Sequence, residues 1–421
     1  MMQKREAVMS FYNLIVIGSG AAGMLAAITA AKRGNKVLLL EKLPKPGAKL
    51  KATGGGKCNL TNTLPNDTFM ASFGRNGRFM RPALTLFDHH KLISFFQQIG
   101  VQTHAPDGFR VFPKTHNAQT ILSALVKEAD RVGVILRCSQ KVEKLTKEKN
   151  LFCVAATNNT FYAQNVIIAT GGMGYPSLGA EGDGYKLAAA FNHNTTSLYP
   201  AMMPLHTKEE WVAECRADTI SKATIRIDLP KSKKLRATGD LIFTKTGIRG
   251  PVILDFSREI TPLLEKYGEV PLLINMTKGM HEDAILAHLK KMIQKNPDGT
   301  LQEHLKTLLP TSVAQALCKL CDISPKEKFS KIAGIKRDTL IKTIAWTPLT
   351  VTGHDGFKMA MITRGGISLK EIDPNTMQSK KTEGLFFCGE IMDLDGPCGG
   401  YNLQWSFASG YLAGHLGKTS D

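Results

Sequence analysis

Tyr12-Asn13-Leu14-Ile15-Val16-Ile17-Gly18-Ser19-Gly20-Ala21-Ala22-Gly23, followed on to Glu41, decides how the rest of this 421-residue chain is read. Tyr12–Ile17 is an apolar run of strand length. An Ala-rich segment continues to about Lys32, Gly34-Asn35 ends it, and Lys36–Leu40 is a second apolar run. Strand, glycine turn, helix and strand in this order make a βαβ unit, the building block of a parallel sheet. Gly18-x-Gly20-x-x-Gly23 lies at the turn, where each glycine has its own task. Gly18 permits the tight turn. Gly20 lets backbone amides reach a pyrophosphate, with Ala21 and Ala22 opening the helix behind it. Gly23 lets the helix lie close on the strand. The unpaired N–H groups and positive dipole end of that helix suit phosphates. Glu41 stands 18 residues after Gly23. There it accepts from a ribose hydroxyl and repels a 2′-phosphate, so the unit predicts a site for FAD or NAD rather than NADP.

Three distant features favour the flavin. Ala169-Thr170-Gly171-Gly172 closes an apolar strand and offers a second close backbone approach to the dinucleotide. Gly384–Gly389 is a strand running into Glu390, an acid placed to hold a ribityl chain. Gly399-Gly400-Tyr401-Asn402-Leu403 opens a helix to about Leu416, whose N-terminus would stabilise negative charge on the reduced ring. No second strand–helix unit carries Gly-x-Gly-x-x-Gly. NADH or NADPH is therefore expected to act as a transient reductant without a Rossmann domain of its own.

These signals predict an α/β protein with a discontinuous Rossmann-like FAD-binding domain, residues 1–194 and 347–421. Between them lies an insert, β-rich over 195–280 and 322–346 and helical over 281–321. Helical patterns are expected at 80–99, 117–132 and 182–192, and at 281–295, 300–308 and 311–321 in the insert. Strand-like patterns occupy 134–156, 161–169, 223–229 and 270–275.

Longer motifs carry a family resemblance. Lys49-Leu50-Lys51-Ala52-Thr53-Gly54-Gly55-Gly56-Lys57-Cys58-Asn59-Leu60-Thr61-Asn62 is one; Thr238-Gly239-Asp240-Leu241-Ile242-Phe243-Thr244 with Gly247 and Gly250-Pro251 is another. Gly365-Gly366-Ile367, Glu371-Ile372 and Thr376-Met377 with Ser379-Lys380 follow. Gly389-Glu390, Asp393, Gly396 and Gly399 to Trp405 complete the set. Over nearly its whole length the chain resembles the bacterial flavoprotein family that includes ribosomal RNA dihydrouridine synthase, the bile-acid-inducible flavoprotein and aminoacetone oxidase. The resemblance implies glutathione-reductase-like topology with an inserted β-barrel-like domain and a helical part. It also implies that Lys42, Lys49, Gly54, Gly55, Gly56, Lys57, Cys58, Asn59, Val142 and Asp393 join the cofactor site. Cys398 stands where the family pattern has Thr.

Composition and charge narrow the activity. With 43% hydrophobic and 21% charged residues, disorder and fibrous structure are excluded. No apolar run approaches the roughly 20 residues that span a bilayer. The first ten residues lack an apolar leader, and eight scattered cysteines suggest no disulfide framework, so a reducing cytoplasm is expected. Cys318-x-x-Cys321 has no partner pair and His281 and His288 are seven apart, so no metal is expected. Lys and Arg number 54 against 36 Asp and Glu, a net charge of +18. Residues 1–194 hold 24 basic and 11 acidic residues, 195–345 hold 24 and 17, and 346–421 hold 6 and 8. Three basic clusters stand out: Lys42, Lys45, Lys49, Lys51 and Lys57; Arg75, Arg78 and Arg81 interleaved with Phe73 and Phe79; and Lys231, Lys233, Lys234 and Arg236. Basic residues mixed with aromatics suit RNA phosphates and bases.

The expectation is thus an FAD-dependent oxidoreductase reducing a uridine of 23S ribosomal RNA to dihydrouridine. Two alternatives stand beside it: a small-molecule flavin oxidase or enoyl reductase, and a non-catalytic flavin-containing RNA-binding protein. Cys58 and Cys398 are the candidate proton donors, with Tyr401 and His354 as substitutes; a thiol of ordinary pKa is protonated at neutral pH and can donate.

Overall fold

A computed structural model describes residues 11–417; the ten-residue N-terminal stretch read above for an apolar leader lies outside the described residues. The chain forms two compact units. One runs to Leu198 and resumes at Ile362; the other is Tyr199–Met361.

The first unit is built on a seven-stranded sheet. Strand β1 (Phe11–Ile17) is central, and its Leu14, Ile15 and Val16 have no exposed surface. Burial on both faces explains why the run is continuously apolar rather than alternating. Helix α1 (Ala21–Lys32) crosses to strand β2 (Val37–Leu40), which pairs parallel with β1, as does the strand Asn159–Ile168 on the other side. Ile135–Arg137 flanks β2 and Leu385–Phe387 flanks Asn159–Ile168, both parallel. An antiparallel pair, Val142–Glu148 and Leu151–Ala156, completes the sheet. The parallel strands end in register, with Ile17 opposite both Leu40 and Ile168, and Phe387 opposite Ile168. The chain reverses its direction of winding at β1, and the crevice at such a switch point is where open α/β sheets bind ligands.

Helix α1 is buried from Ala21 to Ala30, held between the sheet and the helix Tyr401–Ala413. α1 is apolar all round, as fully enclosed helices are, while Tyr401–Ala413 carries Asn402, Gln404 and Ser409, each hydrogen-bonded within the fold. Small residues set their spacing. A methyl group on Gly410 would lie 2.3 Å from the Ala22 carbonyl oxygen, and one on Gly414 would lie 2.6 Å from that of Ala26. The segment expected as one helix at 80–99 is two, Arg81–Leu86 and His89–Gln98. Asp88 starts the second by accepting from the Lys91 N–H at 2.9 Å, a side-chain cap that needs a break before it.

The second unit is a closed six-stranded barrel with its own core. Its order is Leu205–Thr207, Gly247–Arg249, Arg236–Phe243, Thr219–Ile227, Val270–Asn275 and Thr347–Gly353. Helices Glu282–Lys295, Leu301–Leu305, Thr311–Leu320 and Gly334–Ala345 add apolar residues to that core. Thr347–Gly353 closes the barrel, so the chain returns to the first unit at 362, against the expected 347. Pro251–Tyr267 is a 17-residue helix inside the stretch expected to be β-rich. Gly250 caps it with Pro251 at its first position, so the Gly-Pro pair begins a helix rather than a turn. Among the described residues no helix is long and apolar enough to cross a membrane.

Candidate flavin site

The in-register strand ends bring the glycine motifs together. Directly after β1 comes Gly18, after β2 Glu41, after Ile168 the Thr170-Gly171-Gly172 run, and after Phe387 the pair Gly389-Glu390. Gly18 has φ +103°, and a methyl group there would stand 2.6 Å from the Ala169 carbonyl oxygen. On Gly23 it would lie 1.9 Å from the Gly18 carbonyl oxygen, so the helix can sit on the turn only with glycine. A methyl group on Gly20 would meet no neighbouring part of the fold within 4 Å. Gly20 is the extended residue capping α1, with Ala21 and Ala22 behind it. Gly55, Gly56 and Gly171 are likewise open.

Glu41 is buried, and its carboxylate accepts from the Ser19 N–H at 3.2 Å, the Ser19 hydroxyl and the Leu43 N–H at 2.9 Å. Lys42 turns away to Glu181 and Asp183 at 2.7 and 2.6 Å. Burial acts against its charge, but those two hydrogen bonds prevail and raise its pKa above the ordinary lysine value. Val142 is buried at the start of the edge strand, two residues after Gln140, whose N–H bonds the Glu41 carbonyl at 2.8 Å.

At the far end Lys49 pairs with Glu390 at 2.8 Å. Glu390 also accepts from the Thr363 N–H at 3.0 Å, and the Thr363 hydroxyl accepts from the Met173 N–H at 2.7 Å. Thr363 was not foreseen; its only sequence signal is its place just before Gly365-Gly366. Gly389 donates to Ser409 at 2.9 Å and lies against Ala22, where a methyl group would come within 2.8 Å of the alanine Cβ. Asp393 is half-buried; burial and then Asp395 raise its carboxyl pKa, with Arg75 and Arg364 pulling the other way.

Two loops are stitched together. Asn59 lies between the Thr61 carbonyl at 3.0 Å and the Gly400 N–H at 3.1 Å, bonding both with its oxygen toward Gly400. Asn62 donates to the Gly399 carbonyl at 2.9 Å. Gly400, at φ +83°, presses on Thr61, and Asn402 bonds Gly396 through both its N–H and its carbonyl. This fixes the N-terminus of Tyr401–Ala413. Leu403 packs partly buried behind it.

Cys58 and Cys398 therefore belong to tied loops but differ in setting. Cys58, at φ +58°, is wholly buried; burial pushes its thiol up to about 11, with the Thr53 hydrogen bond acting in the opposite sense. Cys398 is exposed. The Tyr401 ring is buried among Phe69 and Phe73, at 5.0 and 6.1 Å. His354 is in the second unit and accepts from the Gly356 N–H at 3.0 Å; burial, then His206, lower its pKa. Gly54, Gly55 and Lys57 are exposed, as is Lys51. Phe73 and Phe79 correct the expected stacking platform: Phe73 is buried, and Phe79 packs on Trp405 at 6.2 Å. Gly74–Met80 is a 3-10 helix, so three-residue spacing puts Arg75 and Arg78 in one column, which is exposed, and Phe73 and Phe79 in another, which turns inward. Among the described residues no three His, Cys, Asp or Glu side chains converge as metal ligands.

The donor set fits FAD. A helix N-terminus faces open space at Gly20, a buried carboxylate follows β2, and the enclosed Thr170 hydroxyl has no hydrogen-bond partner among the described residues. Such a set is that of a dinucleotide-binding protein.

The comparisons specify that class further. Residues 12–416 match the HI0933-like protein Rossmann domain. The chain is 32% identical over 401 residues to the 3-dehydro-bile acid delta(4,6)-reductase of Clostridium scindens, covering 95% of this chain and 97% of that protein. It is 28% identical to the ribosomal RNA dihydrouridine synthase of Escherichia coli, covering 96% and 97%. Among solved structures, the 3-ketosteroid delta1-dehydrogenase of Sterolibacterium denitrificans shares the fold, with a TM-score of 0.54 at 12% identity, covering 98% and 100%. The chain belongs to the HI0933-like family of FAD-dependent oxidoreductases.

Proposed function

We propose that the protein is a reductase, fed by NADH or NADPH, that saturates a C=C bond conjugated to a carbonyl, and that its preferred substrate is a uridine of 23S ribosomal RNA, giving dihydrouridine. Bound FAD would supply the hydride for uracil C6, and the chain the proton for C5. The chain's own work is placement. Gly18–Gly23 receives the pyrophosphate, Glu41 a ribose hydroxyl, and Glu390, oriented by Lys49 and Thr363, the ribityl chain. Of the two candidate thiols, the exposed Cys398 is our choice for proton donor; Cys58 is enclosed. The base must leave its stack to reach the site.

The observation that carries this reading is the basic surplus, present in both units: 29 basic against 18 acidic residues in the first and 25 against 18 in the second. Such a surplus favours a polyanionic ribosomal RNA substrate; a bile acid makes no use of it. Cytoplasmic location follows from that substrate. The second reading is reduction of a small enone, favoured by the 32% identity to the bile-acid reductase. Both reactions saturate a C=C bond, so one anaerobic experiment separates them. The flavin is bleached with NADH or NADPH, then offered ribosomal RNA or a 3-oxo-4,6-diene steroid. Reoxidation by RNA, with dihydrouridine missing from the 23S RNA of a deletion strain, is the expected result. Reoxidation by the steroid alone, or unchanged dihydrouridine, overturns the RNA assignment.

A further inference from the structure

We propose that a basic cleft at the edge of the first unit's sheet is a docking groove for the ribose-phosphate strand of an RNA, separate from the flavin crevice; the proposal rests on the RNA reading above. The cleft has a volume of about 670 Å³ and is lined by five lysines, Lys144, Lys147, Lys149, Lys186 and Lys381, against two acids, Glu143 and Glu383.

Lysines on an edge strand have a simpler use, since they block edge-to-edge pairing with another sheet. That use needs them only on the strand. Here they converge from the edge strand and its turn (Lys144, Lys147, Lys149), the helix Asp183–Ala189 (Lys186) and the loop after Ser379 (Lys381). Two of them build the groove. Lys147 donates to the Glu383 carbonyl at 2.6 Å and lies over the Phe152 ring, 5.0 Å from its centre. Lys381 pairs with Glu371 at 2.6 Å.

That loop is anchored from beneath. The buried His193 bonds Glu371 through Nδ1 at 3.2 Å and Ser379 through Nε2 at 2.7 Å. The Ser379 hydroxyl also accepts from the N–H groups of Lys381 and Thr382, at 3.0 and 2.9 Å. Serine, histidine and glutamate thus stand in the order of a hydrolytic triad, but Ser379 is 3% exposed and its oxygen is occupied by backbone donors. The array holds a wall and is not a nucleophile.

Lys144, Lys149 and Lys186 remain. They are exposed and form no ion pair among the described residues. Leu145, Leu187 and the half-buried Phe191 give the groove an apolar floor between them. Ammonium groups around an apolar, partly aromatic floor match a strand that presents phosphates outward and bases inward.

The test is fluorescence anisotropy of labelled oligouridylate on the FAD-loaded full chain, titrated with salt. Lys144→Gln, Lys149→Gln and Lys186→Gln are combined in one variant. Lys290→Gln, Lys291→Gln and Lys295→Gln, on the exposed face of a helix in the other unit, form a control that removes equal charge. The cleft variant should lose about tenfold or more in affinity, and its log–log salt slope should shrink by about 2, roughly 0.7 per phosphate contact. FAD content and the rate of flavin reduction by NADH or NADPH should stay unchanged, since no flavin-site residue is altered. The control should keep wild-type affinity. Equal losses in both variants, or none in the cleft variant, overturn the groove and leave the RNA reading intact. If wild type binds no RNA but binds phosphatidylserine vesicles, both the groove and the RNA reading fail.

Discussion

Two glycine-rich stretches of this chain do opposite jobs. In the turn Gly18–Gly23 the outer glycines are wedged against backbone, while Gly20 opens onto unfilled space. In the barrel every glycine of the corresponding motif is wedged: methyl groups would lie 3.2 Å from Val252 at Gly239, 2.1 Å from the Leu205 carbonyl oxygen at Gly247 and 2.4 Å from that of Asp240 at Gly250. A glycine that lets the chain touch itself serves the fold. One that leaves room beside a helix N-terminus keeps the backbone there open to a ligand.

Five experiments break or sharpen that contrast. The largest effect is expected from Gly23→Ala, where the helix must lift off the turn at a cost of about 3 kcal/mol or more. Such a protein should purify without flavin absorbance or fail to fold, and a yellow protein with a wild-type melting temperature would contradict the packing role.

Acid should next separate the units. The Arg131 and Lys32 partners hold Glu128 down to about 2 despite its burial. Glu371 is held down to about 2 by the hydrogen bonds of Lys381 and Asn194, which outweigh a burial effect of opposite sign. Both belong to the first unit. A carboxyl depressed on folding stabilises above its unfolded pKa, so this contribution is present above about pH 4.5 and is lost as pH falls toward 2. Up to about 3 kcal/mol is at stake for Glu371. Flavin release, read by fluorescence, should precede loss of barrel structure, and Glu371→Gln should flatten that acid limb.

Gly250→Ala should cost about 2 kcal/mol through its contact with Asp240 and its φ of +108°. It should destabilise the barrel with FAD still bound. Glu41→Gln should weaken FAD about tenfold, the effect of losing a charge-assisted hydrogen bond, measured by cofactor titration. The smallest change is Gly20→Ala. Its apoprotein should melt within about 0.5 kcal/mol of wild type while FAD affinity falls. An unaltered affinity would mean that no phosphate approaches Gly20.

The same contrast explains what could be read from the sequence. The candidate flavin crevice was legible because its chemistry is local: glycine spacing, a strand-ending acid and the Gly389-Glu390 pair each follow an apolar run. The barrel's limits were not, since Thr347–Gly353 joins it by pairing with residues 270–274, far away in sequence. The helix Pro251–Tyr267 was hidden by Pro262 within it and by the Gly-Pro pair at its start. Phe73 and Phe79 were misjudged because the three-residue period of a 3-10 helix sorts arginines outward and phenylalanines inward without any break in the pattern. Thr363 and Ser409 carry no motif and are found only through the partners they bond.

The close seat of Tyr401–Ala413 on α1, fixed by Gly410 and Gly414, also sets an order of events in the cell. During synthesis the whole barrel emerges before that helix does. The flavin crevice can close only when its last wall arrives, several hundred residues after its first. Until then α1 and the glycine turn exist without the surface they are shaped against. A chain that stops anywhere in the barrel therefore lacks the helix against which α1 and the glycine turn are shaped.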